Sequence, residues 1–182
     1  MLVGDSIREG YYPHLKADMN GIAEVLTMPD NCRFTAYTMF HVREWLDAIG
    51  NNADIIVWNN GLWDVVHIHD AEYTVTEIGE YTRNLECIIG QMRAAIPNAK
   101  IVWASTTAVI ESENRRNRPD HIRFNSQICE FNRAAMQVMN KNEITVCDLN
   151  AVSQTLPSEL YLDGVHFKPE GYAHYSKALA FC

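Results

Sequence analysis

Apolar residues in this chain fall into short continuous blocks, separated by longer stretches in which they recur every three or four positions. Continuous blocks of this kind read as strands buried on both faces, and periodic stretches as helices with one apolar side. Leu2-Val3 leads into Gly4-Asp5-Ser6-Ile7, a strand ending in a tight turn, and Tyr11, Tyr12 and Leu15 have the spacing of a first helix. Ile22 to Leu26 reads as the second strand, closed by the turn signal Pro29-Asp30-Asn31. Thr35 to Ile49 is helical, with Met39, Val42, Trp45, Leu46 and Ile49 on one face.

Asp54 to Trp58 is the third strand, and a loop over 59–64 follows it. Thr74-Val75-Thr76-Glu77 has the form of a capping box and predicts a long helix ending near Ile96-Pro97. Lys100 to Ala104 is the fourth strand, the polar stretch Glu111 to Pro119 an exposed excursion, Asp120 to Met139 a helix, and Ile144 to Cys147 the fifth strand. Lys168 to Leu179 closes the chain as a helix, with Pro169 in its first turn. This alternation predicts right-handed crossovers and a three-layer α/β/α sandwich around about five parallel strands. Sites in such sheets form outside the carboxyl ends of the strands, where Ser6, Asn31, Asn59 and the loop carrying Asp163 and His166 all fall.

A length of 182 residues suits one domain over 1–182, and 47% apolar with 21% charged residues suits an ordinary globular core. A net charge of −8 argues against a nucleic-acid partner and favours neutral substrates. No apolar run is long enough to span a membrane, and no signal peptide is expected. The compartment stays open: cytoplasmic if Met1 begins the natural chain, secreted if a leader has been removed. The five cysteines form no CxxC pair, and their odd count suits free thiols better than a disulfide frame.

One combination of residues carries chemistry. A serine hydroxyl becomes a useful nucleophile when a base takes its proton and a third group orients that base. Asp163 and His166, three residues apart on a Gly-containing loop, can be presented to a common point, and Ser6 ends the first strand at the same edge. Asp5 is expected to hold its turn by bonding nearby backbone amides. Arg8 and Tyr12 follow the nucleophile, where an exposed helix face and a substrate contact explain them equally well. His67-x-His69-Asp70 resembles part of a metal cluster, but nothing completes a ligand set, so a surface loop is expected and no metal or organic cofactor. Cys32 has no base placed to serve it and reads as a small buried residue. Arg115, Arg116 and Arg118 read as a solvated stretch, with contact to an acidic substrate as the alternative.

Gly4-Asp5-Ser6 after a first strand, with Asp163-x-x-His166 before a last helix, resembles the SGNH/GDSL hydrolase family over the whole chain. The resemblance implies a flavodoxin-like fold and ester hydrolysis, with Ser6 as nucleophile, His166 as general base and Asp163 orienting its imidazole. It implies an oxyanion hole of the Ser6 amide, a glycine after the second strand and an asparagine after the third. Two blocks depart from that pattern. Gly61-Leu62-Trp63-Asp64 puts Trp63 where the asparagine belongs, and a similar Asn-x-Gly-Leu-x-Asp variant makes Asn59, ahead of Asn60, the matching residue. Asn31-Cys32-Arg33 stands where the glycine is expected, and Asn31 is the substitute donor. The reading is therefore a serine esterase removing small acyl groups, acetyl above all, from a small-molecule or carbohydrate ester. The alternatives are a lysophospholipase or thioesterase for longer chains, and an inactive glycan-binding module of the same fold.

Overall fold

The computed structural model describes residues 1–50 and 52–182. In chain order, β1 (Leu2–Val3), α1 (Ser6–Asp18), α2 (Thr35–Ile49), β2 (Ile55–Trp58) and β3 (His67–Ile68) form the first half. They are followed by α3 (Ile78–Ala95), β4 (Lys100–Ala104), α4 (Glu111–Asn117), β5 (His121–Ile122) and α5 (Asn125–Lys141). The chain ends with β6 (Thr145–Cys147), α6 (Leu149–Thr155) and α7 (Pro169–Ala180). A four-stranded parallel sheet runs in the order β1-β2-β4-β6, and β3 pairs antiparallel with β5 in a separate ribbon.

The parallel strands end in register: Val3 lies beside Trp58, Trp58 beside Trp103, and Ala104 beside Cys147. The turn at Ser6 and the loop after Trp58 therefore leave the sheet at one edge. Helix α1 packs on α7, while α2 packs on α3 and α3 on α5, so two helical layers cover the sheet. Trp58 and Trp103, both fully buried, fill its centre. Large aromatic side chains at adjacent strand positions bury much apolar area for little backbone, which suits strands this short.

Several local expectations yield to tertiary packing. Ile22 to Leu26 is not a strand, and Ile22 is 77% exposed. Only Thr27 bridges Leu2, because β1 offers just two residues to pair with. The residues that follow are held by Arg8, which is buried: its guanidinium donates to the Thr27 hydroxyl and to the Met28 and Asp30 carbonyls. Thr74 does not cap a helix but donates to the Thr76 carbonyl, and the Thr76 amide donates to Asp64 O, so α3 starts later. The stretch from Glu111 is exposed over most of its length, as expected, but it forms a short helix anchored by the fully buried Asn114. Helix α5 begins at Asn125 because His121–Ile122 pairs with β3. Among the described residues no helix is long and apolar enough to cross a membrane.

The cysteines also differ from expectation. Cys147 and Cys182 form a disulfide that ties the end of β6 to the second residue beyond α7, while Cys32, Cys87 and Cys129 are free. Cys32 is buried as expected, with its Sγ accepting the Gly4 amide at 3.1 Å. Closing a loop with a sequence separation of 35 removes entropy from the unfolded chain. Cys182→Ser is expected to lower stability by about 3 kcal/mol under oxidising conditions. Denaturant melts with and without reductant check this, and the difference should vanish when both proteins are reduced.

Candidate active site

The site is built from the two ends of the chain. Asp5, at the N-cap of α1, turns the backbone out of β1, and its Oδ1 accepts the Ile7 amide at 3.0 Å. Ser6 thereby occupies the first helical position, where the amide has no intrahelical acceptor and faces outward. Gly4 is required by close approach, since a Cβ there would stand 2.0 Å from Asn59 Oδ1.

At the other end, Asp163 folds its own loop. Its Oδ1 accepts the amides of Val165 at 2.9 Å and His166 at 2.8 Å, which leaves Oδ2 for the imidazole. His166 Nδ1 lies 2.7 Å from Asp163 Oδ2, and His166 Nε2 lies 2.9 Å from Ser6 Oγ. Burial on its own would raise the Asp163 carboxyl, but the hydrogen bonds from the His166 amide and ring and the Val165 amide outweigh it, and the net shift is downward. An ionised Asp163 accepting from Nδ1 leaves Nε2 free to take the serine proton. The three groups expected to act together are thus joined by one chain of hydrogen bonds.

Helix α4 holds this loop from outside. The Ile110 amide donates to Gly164 O at 2.8 Å, and Asn117 Nδ2 donates to Asp163 O at 3.2 Å. Gly164 has φ 88°, and a Cβ there would sit 2.5 Å from the Asn114 amide nitrogen and 2.8 Å from the Ile110 carbonyl.

A cleft of about 230 Å³ opens at Ser6 and His166, lined also by Asn31, Leu62, Trp63, Arg118, Arg123 and Val165. Asn31 is present, but its amide is occupied: N–H donates to Asp30 Oδ1 and Oδ1 accepts from Arg33 N–H, leaving the side-chain NH₂ for the cleft. Asn59 does not line the cleft. Its Nδ2 donates to Asp5 Oδ1 at 3.0 Å, and its Oδ1 is buried without a partner among the described residues. Asn60 is also engaged elsewhere, with Nδ2 on Arg33 O and Oδ1 accepting Trp58 Nε1–H. Trp63 stands in the cleft at the position where an asparagine had been expected.

Other singled-out residues fall outside. His67 is buried, contrary to a surface-loop reading, with its ring nitrogens against Ala71 O and Gln127 Oε1. Asp64 lies behind the loop, where Thr35 donates to it from both amide and hydroxyl, so it caps α2 from a distance; burial pushes its carboxyl up to about 6. Arg123, 6% exposed, was hidden inside a predicted helix, and no sequence signal marked it.

Gly164→Ala is expected to cost roughly 1–3 kcal/mol, because a residue forced into left-handed backbone against two backbone atoms must shift the loop. A lowered melting temperature together with a larger loss in kcat than a Ser112→Ala control would show that loop placement limits activity.

Comparison with solved structures finds the same fold. A lipase/acylhydrolase from Enterococcus faecalis matches with a TM-score of 0.74 and 20% identity, covering 99% of this chain and 92% of that one. An acetyl xylan esterase matches with a TM-score of 0.73 and 17% identity over 99% and 96%. A carbohydrate esterase family 3 protein from Talaromyces cellulolyticus gives 0.71 and 16% over 98% and 92%. A comparison with curated proteins finds no match. The GDSL-like Lipase/Acylhydrolase family model matches residues 2–174, so the chain belongs to that family and is an ester-bond hydrolase.

Proposed function

We propose that this protein is a serine esterase that removes small acyl groups, acetyl above all, from carbohydrate or related esters. The observation that carries this reading is the hydrogen-bonded run from Ser6 Oγ through His166 to Asp163. Ser6 Oγ attacks the ester carbonyl while His166 Nε2 takes its proton. The developing oxyanion is met by the Ser6 amide and the Asn31 side-chain NH₂, both at the cleft. The imidazolium, held by Asp163, then protonates the leaving alcohol. Water, deprotonated by the same His166, attacks the acyl-serine and releases the acid with the free enzyme. In this reading Asn59 serves the Asp5 turn rather than the oxyanion.

The small acyl preference is supported by the size of the cleft, which Leu62 and Trp63 wall. The carbohydrate preference is supported by the similarity to an acetyl xylan esterase and a carbohydrate esterase. A lysophospholipase or thioesterase would instead show rates that climb with acyl chain length.

Wild-type protein should release nitrophenolate from p-nitrophenyl acetate faster than from the octanoate, and Ser6→Ala should release it from neither while melting within a few degrees of wild type. Retained turnover in Ser6→Ala would reject Ser6 as the nucleophile. Asn31→Ala should lower kcat on the order of 10²–10³ with KM little changed, since the contact forms with the developing charge. Steady-state kinetics on p-nitrophenyl acetate measures it.

A further inference from the structure

The cleft carries more positive charge than ester hydrolysis uses. Arg123 lines it beside Ser6, Trp63 and His166 although only 6% of the residue is exposed. Its Nε donates to the Leu62 carbonyl at 2.6 Å and its Nη1 to the His121 carbonyl at 3.2 Å. Nη2 has no hydrogen-bond partner among the described residues, and no carboxylate forms an ion pair with the group. The nearest negative charges, Asp5 and Asp163, are committed to the Ser6 turn and to His166. A buried cation is normally paired, because its lost hydration is otherwise uncompensated. Burial accordingly pulls the Arg123 guanidinium down to about 10.

Arg118 stands at the rim of the same cleft, and the comparison with its neighbours is informative. Arg115 pairs with Asp70 at 3.0 Å and Arg116 with Glu113 at 3.8 Å. Arg118, the member of the run that lines the cleft, has no ion pair among the described residues. Two guanidiniums without an ion pair among the described residues thus line the cleft that holds Ser6, in a chain whose net charge is −8. The bulk charge favours neutral ligands, while the local charge favours an anion beside the place where the ester lies, and local fields dominate within a Debye length.

We propose that Arg118 and Arg123 form an anion subsite next to Ser6 that binds a carboxylate carried by the ester substrate. Guanidinium groups match the planar carboxylate through charge-assisted hydrogen bonds, with Arg123 Nη2 as the buried donor and Arg118 as the exposed one. The carboxylate belongs to a part of the substrate that is not attacked, in either the alcohol or the acyl half. This inference rests on ester hydrolysis at Ser6.

The test uses two matched pairs, each an acid and its neutral counterpart. In the first, 4-acetoxybenzoate is compared with its methyl ester, which places the charge in the alcohol half. In the second, p-nitrophenyl hydrogen succinate is compared with p-nitrophenyl butyrate, which places it in the acyl half. In at least one pair kcat/KM for the acid should exceed that of the neutral ester by about tenfold, the worth of one charge-assisted hydrogen bond. The ratio should shrink as salt is raised and fall to near one in Arg118→Gln and in Arg123→Gln. A ratio taken within each protein cancels any loss of folded enzyme, and Arg118→Gln, at an exposed position, reports even if Arg123→Gln does not fold. A wild-type ratio at or below one in both pairs overturns the subsite, as does a ratio that Arg118→Gln leaves unchanged. An acid-to-neutral ratio that Arg123→Gln leaves at the wild-type value also overturns it, since the buried guanidinium would then not be reading the carboxylate. Hydrolysis of the neutral esters by wild type and not by Ser6→Ala keeps the esterase reading standing in any of these cases.

Discussion

Asp5 is fully enclosed, and its Oδ1 accepts both the Ile7 amide and the Asn59 side chain while Oδ2 finds no partner among the described residues. Burial raises its pKa, and hydrogen bonds from Asn59 and Ile7 with the charge of Arg123 act in the other direction. That group is costly to bury, yet it decides where the first strand stops, where α1 starts and how the next strand's loop lies against both. Arg8 braces the same turn from the opposite side by donating to Gly4 O. With donors and acceptors fixed around it, Ser6 has little backbone freedom left, which suits the nucleophilic role proposed for it.

The imidazole of His166 arrives by a different route. Asp163 uses one carboxylate oxygen to fold its own loop and the other to hold the imidazole, so the orientation of His166 is set locally. The position of that loop is set by α4, through Gly164 and Asn117. Local geometry and global placement are thus supplied by separate elements. A change in α4 can move the imidazole without disturbing its bond to Asp163, and a change in the loop can break that bond without moving α4.

Electrostatics around the cleft follow the same division. The overall charge of −8 is spread over the surface, whereas the walls near Ser6 present Arg118 and Arg123. Desolvation strengthens charge effects in the interior, so one guanidinium held by two carbonyls there weighs more than several exposed carboxylates. Trp63 also stands in the cleft where a strict overlay expected an asparagine, exchanging a small amide for a broad indole.

By itself the sequence determined what depends on neighbours within a few positions. Buried strands appear as the runs ending at Trp58 and Ala104, helices as three-to-four periodicity, and Asp163-x-x-His166 as a loop that can bond itself, because each is a short-range matter of pleat, pitch or turn. The bounds of α5 and α3, the loss of the Ile22 to Leu26 strand and the failure of the Thr74 capping box were decided by partners far along the chain: β3, Asp64 and Arg8. The Cys147–Cys182 disulfide likewise follows from where β6 and α7 come to lie, which cysteine parity cannot express. The same holds at the site. Nothing near Asn59 announces that its amide will turn to Asp5, 54 positions earlier, and nothing near Arg123 announces that it will reach Leu62 O, 61 positions away. Only the tertiary structure decided these, because a side chain's partner is chosen by which surfaces packing brings within about 3 Å, and that distance has no local trace in the order of residues.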